Sequence, residues 1–318
     1  MLRVSGIELV SAACRAGIIG SFPTPNARTP DELESWLVRL DREEAEARDC
    51  GSSFGAYCPN LIMRRDPIHL MDAVRRFVAH RTKMVITSLG SPAPVLPALR
   101  DGGVKVFADV ASLRHAQKAI EAGIDGLVLL SAGSGGNTGW LNPFAFVRAV
   151  RDVWDGPIVL AGGLSDGSGL LAARMLGCTL GYMGTRFIAT QESMATMRYK
   201  NMVVASTLDD VQLTRAFTGM PSSILRPSIT EAGLDAAALG ETTTPEEAAE
   251  TFGYREAAAR PGPVRWTDIL SAGHSVSGVK DVPTVQAVVD RLARQYAHAC
   301  ARAGDIADGI PYREMDFR

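Results

Sequence analysis

The chain has 318 residues, 46% of them hydrophobic, which is long enough for one large buried core or one core plus a small domain. A formal net charge of −2 and 6% aromatics give no electrostatic footprint for nucleic acid or an anionic membrane. No apolar run reaches the roughly 20 residues of a spanning helix, and no charged-then-apolar leader opens the chain.

The five cysteines, Cys14, Cys50, Cys58, Cys178 and Cys300, are scattered without CxxC spacing. Neither a disulfide framework nor a metal site is therefore expected, and reduced thiols fit a cytoplasmic protein.

Residues 7–16 place apolar side chains about every third or fourth position, which predicts a helix ended by Gly17. Residues 18–22 read as the first visible strand. Thr29, Pro30, Asp31 and Glu32 make a helix N-terminus: a hydroxyl cap, proline in the first turn, and acids at the positive end of the dipole. That helix runs to about residue 48, with the Arg42-Glu43-Glu44 run on a solvated face. Strands are expected at 54–59, 84–87, 104–108 and 126–130. Helices at 67–80, 92–100 and 113–122 separate them, the last with Leu113, Ala116 and Ile120 on one stripe. A glycine-rich turn over 131–139 leads to a helix over 143–153. Residues 157–161, PIVLA, are apolar without polar alternation, as in a strand buried on both faces. Gly162-Gly163 follow at once, then a helix over 169–176 stopped by Gly177, a strand at 180–183, and Gly184-Thr185.

Strands thus begin near residues 18, 54, 84, 104, 126, 157 and 180 with helices between them, which implies βαβ units and a parallel sheet. The predicted fold class is α/β, a (β/α)8 TIM barrel apparently lacking its first strand, because a helix precedes the first visible strand. A doubly wound sheet is the alternative, but no G-x-G-x-x-G follows an early strand. In a barrel, glycine turns after the last two strands present bare N–H groups where a phosphate sits, which nominates Gly162, Gly163, Gly184 and Thr185. After 187 the alternation stops. Residues 188–265 are expected to form a smaller, mostly helical domain inserted after strand eight. Residues 1–187 and 266–303 make the barrel domain, and 304–318 a loose C-terminal tail.

Seven segments in collinear order resemble the nitronate monooxygenase family (2-nitropropane dioxygenases), which are FMN-dependent barrels. They are LVSAACRAGIIGSFP, Asn60-Leu61-Ile62, VFADVASLRHAQKAIEAGIDGLVL, SGGNTG, PIVLAGGLSDG, YMGTRFIAT and WTDILSAGHSVSGV. Each is weak alone; seven in order, from residue 1 to about 300, are specific. The resemblance implies FMN, with its phosphate on Gly162-Gly163 and Gly184-Thr185. It implies that Asn60 hydrogen-bonds the flavin ring or ribityl chain, and that Gly135 and Gly136 let backbone approach the ring. The implied activity is oxidation of alkyl nitronates with O2 to a carbonyl compound and nitrite.

Two departures from the family pattern matter. The family opens with a strand of the type P-I-I-x-A-P-M, and this chain begins at what corresponds to its final Met, which favours a start placed too late over a true lack of the strand. The family's catalytic His stands in G-G-H-x-G; here the match is Gly135-Gly136-Asn137-Thr138-Gly139. An amide cannot accept a proton near neutral pH, so Asn137 is no general base. A neutral nitroalkane must lose its α-proton and should react poorly. A nitronate is already an anion and needs only orientation and an electron acceptor, and Asn137 could still donate its NH2 to a nitro or carbonyl oxygen.

His274 replaces a Gln of the family and is a candidate to restore a titratable group, against the alternative of a His in an ordinary loop. Arg226 is a candidate for the cleft. His115 is expected to be structural, His69, His80 and His298 solvated, and Cys14 and Cys178 small core residues. Three functions stay open: nitronate oxidation, an NAD(P)H-dependent flavin reductase for an enoyl thioester or quinone, and a catalytically altered relative serving as a binding subunit. A homo-oligomer is compatible with each.

Overall fold

The structure is a computed structural model that describes residues 1–240, 244–252 and 262–307. Helix α1 (Ile7–Arg15) leads to strand β1 (Gly20–Pro23) and helix α2 (Pro30–Asp49). The alternation continues through β2 (Tyr57–Ile62), α3 (Pro67–Ala79), β3 (Met84–Ser88), α4 (Leu96–Asp101), β4 (Lys105–Val110), α5 (Leu113–Ala122) and β5 (Gly126–Leu130). A two-residue strand β6 (Gly136–Asn137) precedes α6 (Pro143–Arg151), β7 (Ile158–Ala161), α7 (Gly167–Met175) and β8 (Leu180–Tyr182).

Seven strands, β1 to β5 with β7 and β8, form one parallel sheet in chain order. It curls as a TIM barrel of seven strands, as the spacing predicted. Among the described residues β1 and β8 share no backbone ladder. Their edges instead meet through side chains, Tyr182 Oη donating to Ser21 Oγ at 3.2 Å. The last helix, α12 (Val285–Ala307), packs against α7 and α1 outside this seam.

Alternate residues of each strand face opposite sides. Phe22, Leu61, Val106, Leu127, Leu129 and Ile158 point outward and are buried under helix residues such as Leu37, Leu40 and Phe77. Each such side chain stabilises the fold by about 1.5–3 kcal/mol. Cys58, Ile86, Phe107, Val128, Val159 and Ala161 point inward.

Local signals explain most boundaries. Thr29 Oγ1 accepts from the Glu32 amide at 3.0 Å, and Glu32 Oε2 accepts from the Arg28 amide at 2.7 Å, so α2 begins where the cap predicted. Helix α5 is capped by Ser112 and ended by Gly123 at φ 86°. Its stripe needs correction: Ala116 and Ala119 face the sheet, while Leu113 is 47% exposed. Small residues there let the helix approach closely.

Strand β2 starts three residues later than expected. A Cβ on Gly55 would lie 1.9 Å from the Ile18 carbonyl oxygen, so the preceding chain crosses α1's exit instead of pairing. The shift puts Asn60 inside a strand.

After β8 come α8 (Thr185–Ile188) and α9 (Met197–Ala205), then β9 (Val211–Thr214), β10 (Ser222–Leu225), α10 (Arg226–Glu231) and α11 (Pro245–Phe252). The segment after β8 thus carries an antiparallel hairpin that helical periodicity did not reveal. Strand β10 also pairs with β6, Ser222 opposite Asn137 and Ser223 opposite Gly136. That segment is thereby stitched to the glycine-rich turn of the barrel. Of the expected tail, residues 304–307 continue α12, and the rest lies outside the described residues.

Candidate active site

The inner face of the sheet and its carboxyl ends enclose a cavity of about 2100 Å³. Asn60, Gly135, Gly136, Asn137, Gly162, Gly163, Gly184 and Thr185 all line it, so separate turns predicted to act together do converge.

The two glycines after β7 have different reasons. Gly162 has φ 122°, and a Cβ there would lie 2.4 Å from Ser131 Oγ and 2.9 Å from Ser134 Oγ. Gly163 has φ 70°, and a Cβ would meet nothing within 4 Å. The first glycine permits packing; the second keeps a left-handed turn beside open space. Among the described residues the amides of Gly162, Gly163 and Gly184 donate to no protein acceptor. Thr185 is buried, and its Oγ1 accepts from the Gly273 amide at 2.8 Å, which ties the late chain segment to the turn after β8.

Gly135 serves the same contact, since a Cβ on it would sit 2.8 Å from the Gly273 nitrogen. Gly136 has φ 69° and borders the cavity. Asn137 is fixed by β10: its Oδ1 accepts from Ser222 Oγ at 2.8 Å, and Ser222 Oγ lies 2.8 Å from Thr218 Oγ1. With the oxygen engaged, the NH2 of Asn137 is left without a protein partner among the described residues.

His274 is not brought to this group. Its side chain is exposed and does not line the cavity; its amide donates to the Gly133 carbonyl at 2.9 Å, and its ring packs on the outer side of Gly133. The turn over His274–Gly278 points Ser275 inward instead. Arg226 is likewise exposed and bonds the Asp209 carbonyl. Arg265 and Trp266 border the cavity from the insertion's end.

The residue that sequence reasoning passed over is Asp109. On β4 it follows Phe107 at the inward register, opposite Val128 of β5. Asn60 Nδ2 donates to Asp109 Oδ2 at 3.4 Å, and Ser88 Oγ donates to Asn60 Oδ1 at 2.7 Å. Asp109 Oδ1 is buried with no hydrogen-bond partner among the described residues. Burial pushes the carboxyl up to about 7, against the Asn60 hydrogen bond and the Met1 amino group, which both lower it. The available signal was a carboxylate at an inward position of a buried parallel strand, where charge is rare. Two neighbours share the low-dielectric interior: burial also pushes up the Cys58 thiol and the Tyr182 phenol.

Among the described residues no cluster of His, Cys, Asp and Glu could hold a metal ion, and no helix is long and apolar enough to cross a membrane.

The family model described as nitronate monooxygenase matches residues 56–295. A carboxyl-CoA dehydrogenase of Rhodococcus jostii, acting on the (3aS,4S,5R,7aS)-5-hydroxy-7a-methyl-1-oxo-octahydro-1H-indene-4-carboxyl thioester, is 28% identical over 226 residues. That alignment covers 71% of this chain and 61% of the dehydrogenase, so the chain spans less than two thirds of that relative's length. FabK from Thermotoga maritima superposes with a TM-score of 0.75 at 25% identity, covering 96% of this chain and 93% of the other. The nitroalkane oxidase from Streptomyces ansochromogenes gives a TM-score of 0.76 at 22% identity, with 94% of each chain covered, which speaks to fold alone.

Proposed function

The chain belongs to the nitronate monooxygenase family, and from that premise we propose that it is an FMN-dependent oxidoreductase that oxidises alkyl nitronates with O2 to a carbonyl compound and nitrite. The residues present fit the cofactor. Unspent amides at Gly162, Gly163 and Gly184, with open space before Gly163, suit a phosphate at the carboxyl ends of β7 and β8. A cavity of about 2100 Å³ has room for a planar cofactor and a small substrate together. When bound, FMN supplies a two-electron acceptor that O2 can reoxidise.

The chain's own residues bind and orient. The two glycine turns hold the phosphate. Asn60, fixed by Ser88, hydrogen-bonds the ring or ribityl chain. Asn137 offers its NH2 to an oxygen of the nitronate. No residue is required to remove a carbon-bound proton, because a nitronate has already lost it.

The observation that carries this reading is the hydrogen bond from Ser222 to Asn137 Oδ1, which holds a non-basic amide at the family's histidine position with its donors free. Oxygen uptake by flavin-loaded protein tests it. Turnover of a nitronate but not of the parent neutral nitroalkane is the expected outcome, and no uptake with either would sink the reading.

A second reading is an NAD(P)H-dependent reductase acting on an enoyl thioester or quinone. The similarity to the Rhodococcus dehydrogenase, whose substrate is a CoA thioester, favours it. Anaerobic loss of the flavin's visible absorbance with NADH or NADPH, and none with nitronate, would select this reading.

A further inference from the structure

Ser88, Asn60 and Asp109 form a chain of hydrogen bonds that runs one way. The Ser88 hydroxyl donates to Asn60 Oδ1, which fixes the amide so that Nδ2 faces Asp109 and donates to Oδ2. With Oδ2 already accepting, the free oxygen of the carboxyl is Oδ1, and that oxygen is buried without a partner among the described residues. Asp109 lies on the inward register of β4, next to last in the strand, and lines the cavity at the carboxyl end of the sheet.

We propose that Asp109 is a proton-linked ligand of the cofactor, its neutral carboxyl donating a hydrogen bond from Oδ1 to an acceptor of the bound flavin, so that ionisation of Asp109 loosens binding. The proposal rests on the FMN reading above and gives it a residue to which the resemblance assigns no role. A buried carboxyl with one oxygen unpaired is costly when charged, and burial already holds this one up to about 7. A ligand that accepts from the neutral form raises that value further. The sign follows: affinity is highest below about 7 and falls as pH rises through it.

Other titratable groups face Asp109. From β2 come Cys58 and Asn60, and from β8 Tyr182, which is bonded to Ser21 of β1. The thiol and the phenol are both pushed up by burial and stay neutral across this range. The Met1 amino group is pushed down to about 6 by burial, partly offset by Asp109, and it titrates nearby. The test must therefore separate Asp109 from Met1.

The dissociation constant of FMN is measured by fluorescence quenching on the wild-type protein and on Asp109→Asn, between about pH 6 and about pH 8. Riboflavin is titrated in parallel, because the phosphate of FMN itself titrates near about 6. Wild-type affinity for both ligands is expected to weaken about tenfold across the range. Asp109→Asn keeps a donor and loses the titration; its affinity should stay within about twofold throughout, any residue of slope belonging to Met1.

A wild-type profile that is flat for riboflavin overturns the proposal whether or not the variant folds. So does an Asp109→Asn profile as steep as the wild type's. Flat but tight binding overturns the role of Asp109 alone. No binding of FMN at any pH overturns the cofactor reading, and this proposal with it.

Discussion

Ser222 Oγ sits 2.8 Å from Asn137 Oδ1, brought there by the pairing of β10 with β6. The pairing Ser222↔Asn137 means that the residue at the family's histidine position is positioned by the insertion as well as by the barrel. Restoring histidine should therefore restore a base already in place. Asn137→His is expected to raise turnover of neutral nitroalkanes by about 10²–10⁴-fold, the usual worth of a positioned general base, while nitronate turnover changes little. Oxygen uptake with each substrate checks this. Equal changes on both substrates would mean that Asn137 does not face the reacting carbon.

The two glycines after β7 should fail in different assays. Gly163→Ala places a methyl group in open space at φ 70°, so folding loses only about 1–2 kcal/mol from the left-handed backbone. FMN affinity should fall at least about tenfold, since the methyl stands beside the amide proposed to hold the phosphate. Gly162→Ala drives a Cβ into Ser131 and Ser134 and should cost more stability. Denaturant midpoints and flavin titrations of the two variants separate the effects.

The barrel was legible because its signals are local and repeated. An apolar run such as Ile158–Ala161, followed at once by glycines, can be read without any partner strand. The hairpin of β9 and β10 was not legible, because Val211–Thr214 and Ser222–Leu225 find their strand character in each other and in β6. Side-chain roles failed for a related reason. Glu43 sits among charges in sequence yet is only 4% exposed, and His80 on an amphipathic helix turned out to be clasped, because burial depends on what α1 and α2 bring across. His274 has the right chemistry for a base, but the turn that begins there directs it outward. Asp109 sits among apolar residues whose strand pattern hides it, and only the inward register shows its isolation.

His80 makes a pH-dependent clasp between helices α2 and α3. Its Nδ1 lies 2.6 Å from Asp41 Oδ2 and its Nε2 lies 2.9 Å from Glu34 Oε1. Burial alone would lower its pKa, but the two carboxylates outweigh burial and raise it. A raised folded-state value means that the clasp contributes fully below the unfolded value of about 6.5 and is lost as pH rises through the folded one. Thermal unfolding of the wild type and His80→Gln at mildly acid and mildly alkaline pH should show a gap of about 1–2 kcal/mol on the acid side that narrows on the alkaline side. A gap independent of pH would assign His80 to packing alone.

Glu43 contributes through the opposite sign. Ser11 Oγ donates to its Oε2 at 2.5 Å, and Oε1 takes Arg39 Nε and an Arg15 guanidinium nitrogen, each at 2.9 Å. Burial would raise this carboxyl, but the Arg39 and Ser11 hydrogen bonds and the charge of Arg15 hold it below the usual carboxylate range. A depressed folded-state value gives stability that is present above the unfolded value of about 4.3 and is lost as pH falls through the folded one. Glu43→Ala removes the carboxylate from Arg15, Arg39 Nε and the buried Ser11 hydroxyl at once and should cost about 3 kcal/mol, the lower end for breaking a buried pair because Arg39 keeps Glu8 and Arg15 still reaches water. Glu43→Gln keeps the shape and one acceptor, so it should cost less and should remove part of the acid sensitivity. Urea unfolding of both variants at neutral and acid pH distinguishes them, and an alanine variant as stable as the wild type would show that the network contributes nothing net.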